Sequence, residues 1–217
     1  MPGKNLLPLG GVPLIGHSIN TAKALPQVSK VFVSTDDSEI KRVAMQYGAE
    51  VIDRPEELAG DKSSEWEAWR HAIRYLEEVG EAFDTFLSLP ATSPLRSTQD
   101  VEVAINALDA ETDAVITVTP ASRSPFFNMV SRELDGSTTI LCPSDGYTRR
   151  QDAPEAFDVT TVAYVLSKSF ILLRNGLFEG AVKSVVVPKE RAVDIDDILD
   201  FKFAELLYAE AKDAVKR

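Results

Sequence analysis

The alternation of short apolar segments with amphipathic helical segments constrains the fold of this chain more than any other feature of its sequence. Apolar residues recur at helical spacing in Pro13–Leu25, and β-branched and aromatic residues fill the next segment, "KVFVST" at Lys30–Thr35. The alternation continues to Asp113–Pro120, with helices predicted at 38–48, 63–78 and 100–108 and strands at 49–53 and 84–90. Strands that alternate with helices indicate a three-layer α/β fold with a mostly parallel sheet.

The alternation stops after Pro120. The segments "FFNMVSREL", "STTILCP" and "DVTTVAYVLS" are rich in β-forming residues without a helical segment between them, which predicts a β-rich insertion over residues 121–166. A short helix at Ser167–Leu173, a strand "KSVVVP" and a terminal helix from about Asp197 close the pattern. We expect a single domain over residues 1–217, because 44% hydrophobic residues suffice for one sizeable core at this length.

The charge and cysteine content narrow the classes of partner. A net charge of −11 and a pI near 4.7 argue against nucleic acid or an anionic membrane as the main partner. The sequence contains no signal peptide, and no apolar run approaches the roughly 18 residues of a membrane span. The single cysteine, Cys142, fits a reducing compartment. We therefore expect a cytoplasmic protein that binds neither nucleic acid nor a membrane.

Two aspartates after the last predicted strand form a candidate metal site. Ligands of open α/β sheets bind beyond the carboxyl ends of the strands, where Asp194 and Asp196 are expected to lie. Carboxylates at positions i and i+2 leave the same face of an extended segment and can both reach one hard cation such as magnesium. Alternatively, Asp196 or Asp197 caps the terminal helix and Asp194 is solvated. The spacing alone leaves both interpretations open.

Two arginines in the polar segment "YTRRQDAPEAFD" form a second candidate. Guanidinium groups bind carboxylates and phosphates through paired hydrogen bonds, whereas a solvated surface pair is the alternative. His17 and His71 have no cysteine or second histidine at ligand spacing and are interpreted as structural. Trp66 and Trp69 are three residues apart on a predicted helix and are interpreted as core residues.

Six sequence blocks, in order and over nearly the whole chain, resemble the acylneuraminate cytidylyltransferases, or CMP-sialic acid synthetases. The blocks are "GKNLLPLGGVPLIGHSI", "VFVSTDD", "VIDRPEELAGDKSS", "PATSPLR", "RRQDAPEAF" and "VDIDDILDFKFAE". The resemblance implies a Rossmann-like nucleotidyltransferase fold that transfers CMP from CTP to the anomeric hydroxyl of an acidic sugar and releases pyrophosphate. It further implies a nine-carbon or sometimes eight-carbon sugar, a magnesium cofactor, and a homodimer whose β-rich insertion reaches the partner.

The resemblance also assigns roles to individual residues. By resemblance, Lys4 neutralises phosphate charge and takes part in catalysis, Asn5 contacts the nucleotide, and Asp194 and Asp196 bind magnesium and take part in catalysis. Thr92, Ser93 and Arg96 line the junction between nucleotide and sugar. Arg150 and Gln151 bind the sugar. A triphosphate carries several negative charges, so positioning and charge neutralisation dominate this kind of transfer. The general base stays open among Asp194, Asp196 and a metal-bound hydroxide.

Two departures from the family pattern leave the sugar open. The chain has Pro90-Ala91 where the family usually has glutamine-proline, and Thr160-Thr161 where asparagine-glycine is common. Both positions lie near the sugar pocket in the family. A 3-deoxy-manno-octulosonate or legionaminate-type cytidylyltransferase is therefore the alternative within the same reaction class.

A further departure concerns the start of the chain. Family members have an apolar strand and a loop of the type arginine-x-glycine-serine-lysine-glycine ahead of the segment that matches Lys4 and Asn5. We expect either that this strand and loop precede Met1 in a longer protein or that the 217-residue form lacks them. In the second case we expect weak or no activity, or a non-catalytic binding module. A dinucleotide-binding enzyme is a third possibility, but Gly10–Gly11 lacks the strand–turn–helix context that such sites require.

Overall fold

The computed structural model describes residues 1, 3–60, 63–143, 146–147 and 149–215, with the side chains of residues 150, 214 and 215 outside the description. The helices are α1 (Leu14–Lys23), α2 (Ser38–Gln46), α3 (Glu65–Glu78), α4 (Thr98–Asn106), α5 (Lys168–Leu173) and α6 (Ile198–Val215). The strands are β1 (Pro8–Leu9), β2 (Val12–Pro13), β3 (Phe32–Thr35), β4 (Glu50–Asp53), β5 (Thr85–Ser88), β6 (Ala114–Pro120), β7 (Val130–Arg132), β8 (Thr138–Ile140), β9 (Phe157–Ser167) and β10 (Val182–Val186). This order confirms the predicted α/β fold.

The strands of the central layer form two sheets. A four-stranded sheet has the order β10–β6–β9–β5, in which β10 and β6 are parallel and β9 is antiparallel to both of its neighbours. A separate parallel pair consists of β3 and β4. Lys30, just before β3, forms ion pairs with Glu50 at the start of β4 and with Glu81 just before β5. These ion pairs bring the amino ends of β3, β4 and β5 close together. Among the described strands of the central layer, only β9 therefore runs in the opposite direction.

The predicted insertion is built partly into the central sheet. Strand β9 pairs along β6 as far as Pro120, which faces Phe157. Residues 121–156 therefore leave the sheet and return to the adjacent strand position, and they carry the small β7–β8 hairpin. The central position of β9 shows that a β-rich run in the sequence need not lie outside the core.

Helices cover both faces of the sheets. The largest apolar cluster packs α3 and α5 on β6 and β9, and it includes Trp66 and Trp69, each 8% exposed, as the sequence predicted. A second cluster joins the start of the chain to α6 through Leu9, Leu14 and Phe201. Within the described ranges, no helix combines the length and apolar character needed to cross a membrane.

A two-residue turn makes the Gly10–Gly11 segment a β-hairpin. Both glycines have positive φ values, 59° and 87°, which suits the type I′ turn that joins β1 to β2. A Cβ atom on Gly10 would lie 2.0 Å from the Tyr208 ring of α6, whereas one on Gly11 would meet nothing within 4 Å. The turn therefore serves to seat the hairpin against the terminal helix.

Replacement of the two glycines by alanine tests this contact. We expect Gly11→Ala to lower the free energy of unfolding by about 1–2 kcal/mol, because alanine disfavours the left-handed backbone. Gly10→Ala should cost about 1 kcal/mol more, because the added methyl group must displace the Tyr208 ring. Urea unfolding of both variants measures the difference, and equal losses would contradict the close packing of the turn on α6.

Candidate active site

Asp197, one of the two residues predicted as the cap of the terminal helix, forms that cap. The Asp197 carboxylate accepts hydrogen bonds from the backbone N–H groups of Leu199 at 2.7 Å and Asp200 at 3.1 Å. The Asp200 carboxylate in turn accepts from the backbone N–H groups of Asp196 and Asp197. This reciprocal arrangement is a helix N-cap centred on Asp197. The side chains of Asp194 and Asp196 are therefore not needed to cap α6.

Asp194 and Asp196 flank a residue that is anchored in the core. Ile195 is 0% exposed, and its backbone N–H donates to the carbonyl of Thr92 at 2.8 Å. Alternation along the extended segment then directs the two carboxylates away from that core. One oxygen of Asp194, Oδ1, is buried and has no hydrogen-bond partner among the described atoms. An unpaired carboxylate oxygen with a second carboxylate two residues away fits the hard oxygen donors that magnesium prefers.

Lys4 meets the same segment from the other end of the chain. Its ammonium Nζ lies 2.9 Å from Oδ1 of Asp196, whose side chain is 76% exposed. Asn5 follows in the 3-10 helix Lys4–Leu6, and its buried Oδ1 has no hydrogen-bond partner within the described structure. The fold thus brings the segment of Lys4 and Asn5 next to the segment of Asp194 and Asp196, which lies about 190 positions further along the sequence.

The loop that follows β5 is tied down by Arg96. The guanidinium group is 5% exposed and donates to Ser18 Oγ at 2.6 Å, to the carbonyl of Thr161 at 3.1 Å, and to the carbonyl of Pro90. Burial lowers the pKa of Arg96 to about 9, while the negative charge of Asp194 acts against this shift. Arg96 therefore remains charged at neutral pH, and its two Nη atoms donate hydrogen bonds to protein groups.

An irregularity in β9 supplies the acceptors for this loop. The register of β6 and β9 shifts between Ile116 and Thr117, so residues 161–163 lie opposite no residue of β6 in the ladder, although the Thr117 hydroxyl hydrogen-bonds to the backbone of Ala163. In this bulge, Thr161 Oγ1 lies 2.6 Å from the hydroxyl of Ser93, which is 0% exposed. Bulges commonly redirect a side chain next to a functional site. The predicted junction residues Ser93 and Arg96 thus contact the bulge, whereas the Thr92 side chain is half-buried.

Three further ionisable residues surround the same edge, of which Arg54 directly follows a predicted strand. Burial raises the pKa of Glu65, a change that the charge of Arg54 opposes and the charge of Asp194 increases. Burial also raises the pKa of Tyr164 to about 12, and the charges of Glu65 and Asp194 contribute. Tyr164 therefore remains a neutral hydroxyl at physiological pH. Arg54 is held in place by hydrogen bonds to the side chain and carbonyl of Ser34 in β3.

Of the two predicted sugar-binding residues, only Gln151 has a described side chain. Gln151 is exposed in the 3-10 helix Arg150–Asp152, and no described hydrogen bond joins it to Lys4 or Asp196. The side chain of Arg150 lies outside the described residues. Arg149 forms an ion pair with Asp152 at 2.8 Å. The role of Arg150 and Gln151 thus stays a prediction from the resemblance.

A bidentate ion pair anchors the segment that leads to Asp194. Arg191 donates through Nε and Nη2 to the two oxygens of Asp100, at 2.8 and 2.9 Å. Asp100 also completes a capping box with Ser97 at the start of α4. Although burial alone would raise the pKa of Asp100, hydrogen bonds from Arg191 and Ser97 lower it overall. The Ser97-x-x-Asp100 spacing was a sequence signal for the cap but not for the ion pair.

The lowered pKa of Asp100 predicts a specific loss of stability in acid. We expect Asp100→Asn to lower the free energy of unfolding by about 1–2 kcal/mol at pH 7, because a charge-assisted pair is lost. A carboxyl whose folded pKa is depressed stabilises fully above its unfolded pKa of about 3.9. The difference between the parent and the variant should therefore shrink as the pH falls below about 4.

Urea unfolding at pH 7, 5 and 3 measures this difference. Glu39→Gln provides the control, because it removes an exposed ion pair with Arg42 and should leave the stability nearly unchanged. A difference for Asp100→Asn that stays constant down to pH 3 would contradict the assigned pKa shift.

Comparison with known proteins relates this geometry to one family. A family model described as "Cytidylyltransferase" matches residues 1–187. The chain is 31% identical over 210 residues to post-translational flagellin modification protein B of Campylobacter coli, covering 95% of this chain and 88% of that protein. It is 32% identical over 207 residues to CMP-N,N'-diacetyllegionaminic acid synthase of Campylobacter jejuni, covering 94% and 87%. The solved structure of CMP:2-keto-3-deoxy-manno-octonic acid synthetase complexed with CTP shares the fold, with a TM-score of 0.70 at 17% identity over 97% of this chain and 93% of that chain.

Proposed function

The chain belongs to the cytidylyltransferase family, and from that premise we propose that it transfers CMP from CTP to a sialic-acid-like 2-ulosonic acid. The anomeric hydroxyl oxygen of the sugar forms a bond to the α-phosphorus of CTP. The bond from that phosphorus to the bridging oxygen breaks, and pyrophosphate leaves with the electron pair. The hydroxyl proton passes to a base and finally to solvent.

The observation that carries this proposal is the unpaired Oδ1 of Asp194 next to the ion pair of Lys4 and Asp196. We assign magnesium to the two carboxylates, with phosphate oxygens and water as further ligands. When bound there, magnesium neutralises negative charge on the phosphates and orients the reacting oxygens. Because the Asp196 side chain is exposed, its ion pair with Lys4 can break when CTP enters, and the Lys4 ammonium can then bind phosphate oxygens.

The remaining residues divide between ligand contact and positioning. The buried acceptor Oδ1 of Asn5 has no partner and is available to a donor group of the nucleotide. Arg96 acts as a positioning residue, because its bonded nitrogens hold the loop that follows β5. Tyr164 offers a hydroxyl that stays protonated. We assign the carboxylate of the sugar to Arg150 and Gln151, on the strength of the sequence resemblance.

The identity of the acidic sugar is the most specific part of the proposal. The similar proteins include a legionaminic acid synthase, and Thr160-Thr161 departs from the usual sialic acid pattern. The side chain of Thr160 is held inside the protein, since its hydroxyl donates to Thr117 Oγ1 at 2.7 Å. We therefore include diacetyllegionaminate and 3-deoxy-manno-octulosonate beside N-acetylneuraminate as substrates to compare.

Pyrophosphate release with CTP, magnesium and this panel of sugars tests the function. We expect release that depends on both the sugar and magnesium, that a chelator abolishes, and that ATP does not support. Absence of release with every sugar of the panel would contradict the proposal.

We also propose a homodimer in the cytoplasm, where CTP is available. Apolar side chains on the 121–156 excursion are exposed, among them Met129, Val130 and Leu141 at 38%, 55% and 50%. Exposed apolar clusters on a soluble chain commonly mark an interface. Light scattering after size exclusion should give twice the chain mass of 23.8 kDa, and Val130→Asp should shift the mass to that of one chain.

A further inference from the structure

The segment that carries Asp194 and Asp196 leaves the central sheet before it reaches the two carboxylates. The backbone N–H of Val187, directly after β10, donates to the carbonyl of Val118 in β6 at 2.8 Å. A 3-10 helix follows at Lys189–Arg191, and no strand is described between this helix and α6. The position of the carboxylates therefore depends on contacts that the segment makes beyond the sheet.

Two contacts join this segment to the loop that follows β5 and to the helix that the loop enters. The backbone N–H of Ile195 donates to the carbonyl of Thr92 in that loop at 2.8 Å. The guanidinium group of Arg191 donates to both oxygens of Asp100, in the first turn of α4, at 2.8 and 2.9 Å. One contact thus fixes the segment between its two carboxylates, and the other fixes it shortly before Asp194.

The ion pair of Arg191 and Asp100 fixes a direction as well as a distance. The Asp100 side chain is only 6% exposed, and its Oδ2 also accepts from the backbone N–H and the hydroxyl of Ser97. The carboxylate is therefore oriented by the cap of α4 before it meets the guanidinium group. Two parallel hydrogen bonds to such a carboxylate leave the arginine side chain little freedom to turn.

A second ion pair joins α4 to β10 at the other end of the strand. Nζ of Lys183, near the start of β10, lies 2.5 Å from Oδ2 of Asp109, which follows α4. This pair ties the same helix to the same strand, but at the end away from the segment that leads to Asp194. It therefore provides an internal comparison for the effect of position.

We propose that Arg191 is a positioning residue of the magnesium site, because it holds the segment of Asp194 and Asp196 against the start of α4. This proposal rests on the proposed function, in which the two carboxylates bind magnesium. Loss of the pair frees the chain ahead of Asp194, so the carboxylates must be ordered again each time the metal binds. Removal of groups that orient metal ligands typically lowers metal affinity about 10–100-fold.

Titration with Mn²⁺ alone tests the proposal without any transfer of CMP. Mn²⁺ prefers the same oxygen ligands as magnesium, and its electron paramagnetic resonance signal distinguishes the free from the bound ion. We expect Arg191→Met to weaken Mn²⁺ binding by the full chain about 10-fold. Arg191→Lys should weaken it less, because lysine keeps the charge but not the paired hydrogen bonds. The control Lys183→Met should bind Mn²⁺ like the parent, and urea unfolding verifies that each variant is folded during the titration.

A double-mutant cycle identifies Asp100 as the partner. The variant that combines Asp100→Asn with Arg191→Met should bind Mn²⁺ no more weakly than Arg191→Met alone, because both changes remove the same pair. Parent-like binding by Arg191→Met, additive losses in the double variant, or equal weakening by Lys183→Met would overturn the proposal and leave the magnesium site in place. Absence of Mn²⁺ binding by the parent would overturn the magnesium assignment and this proposal together. If Arg191→Met does not fold, Arg191→Lys decides by the same comparison.

Discussion

Replacement of Asp194 by asparagine is expected to lower cytidylyl transfer on the order of 10²–10³-fold without lowering the melting temperature. The rate should fall because one of two magnesium ligands loses its charge at the point where phosphate charge must be neutralised. Stability should change little, because Oδ1 of Asp194 makes no described hydrogen bond and the lost attraction to Arg96 is opposed by relief of the repulsion between Asp194 and Glu65.

Two measurements separate this expectation from a general structural effect. Calorimetry should show that magnesium strengthens CTP binding by the parent but not by Asp194→Asn. Asp197→Asn is the matched control three positions further along the chain, since asparagine caps a helix about as well as aspartate. Equal losses of activity in the two variants, or a lower melting temperature for Asp194→Asn alone, would contradict the proposed role.

Replacement of Arg96 by methionine is expected to destabilise the fold strongly. Methionine fills much of the same space but removes the donor to Ser18 Oγ and to the carbonyls of Pro90 and Thr161, of which the Pro90 carbonyl still accepts from Ser18 Oγ. Each buried acceptor left without a partner typically costs about 1–3 kcal/mol, so a total loss of about 3–5 kcal/mol is expected. For a chain of this length, that corresponds to a fall in melting temperature of about 10 °C.

Graded variants identify the origin of the loss. Arg96→Lys keeps the charge but cannot reach all three acceptors, so its stability should lie between those of the parent and Arg96→Met. Ser18→Ala removes one acceptor and should cost about 1–2 kcal/mol. Thermal and urea unfolding provide the measurements. A loss below about 1 kcal/mol for Arg96→Met would show that the loop after β5 is held by other contacts.

Local elements were predictable because their periodicity does not depend on distant residues. The predicted strand at Lys30–Thr35 corresponds to β3, and the predicted helix at 63–78 corresponds to α3 (Glu65–Glu78). The β1–β2 hairpin was missed because each of its strands has only two residues, too few to show alternation. The glycine pair between them forms the turn of this hairpin.

The candidate site was predictable where residues close together in the sequence define its chemistry, and not where it depends on long-range contacts. The spacing of Asp194 and Asp196 left a metal site and a helix cap open, and the structure shows that Asp197 forms the cap. The resemblance placed Arg96 at the substrate junction, but its contacts with Ser18 and Thr161, 78 and 65 positions away, could not be predicted. No local pattern indicates which acceptors a buried guanidinium group will find.

The 121–156 excursion leaves the sheet at Pro120 and returns at Phe157, which face each other in the β6–β9 ladder. Its two ends are therefore neighbours, and a doubling of its length would cost only about 0.6 kcal/mol in loop entropy. The pairing of β6 with β9 therefore sets no limit on the length of the excursion, and its length and sequence can change while the paired strands stay as they are.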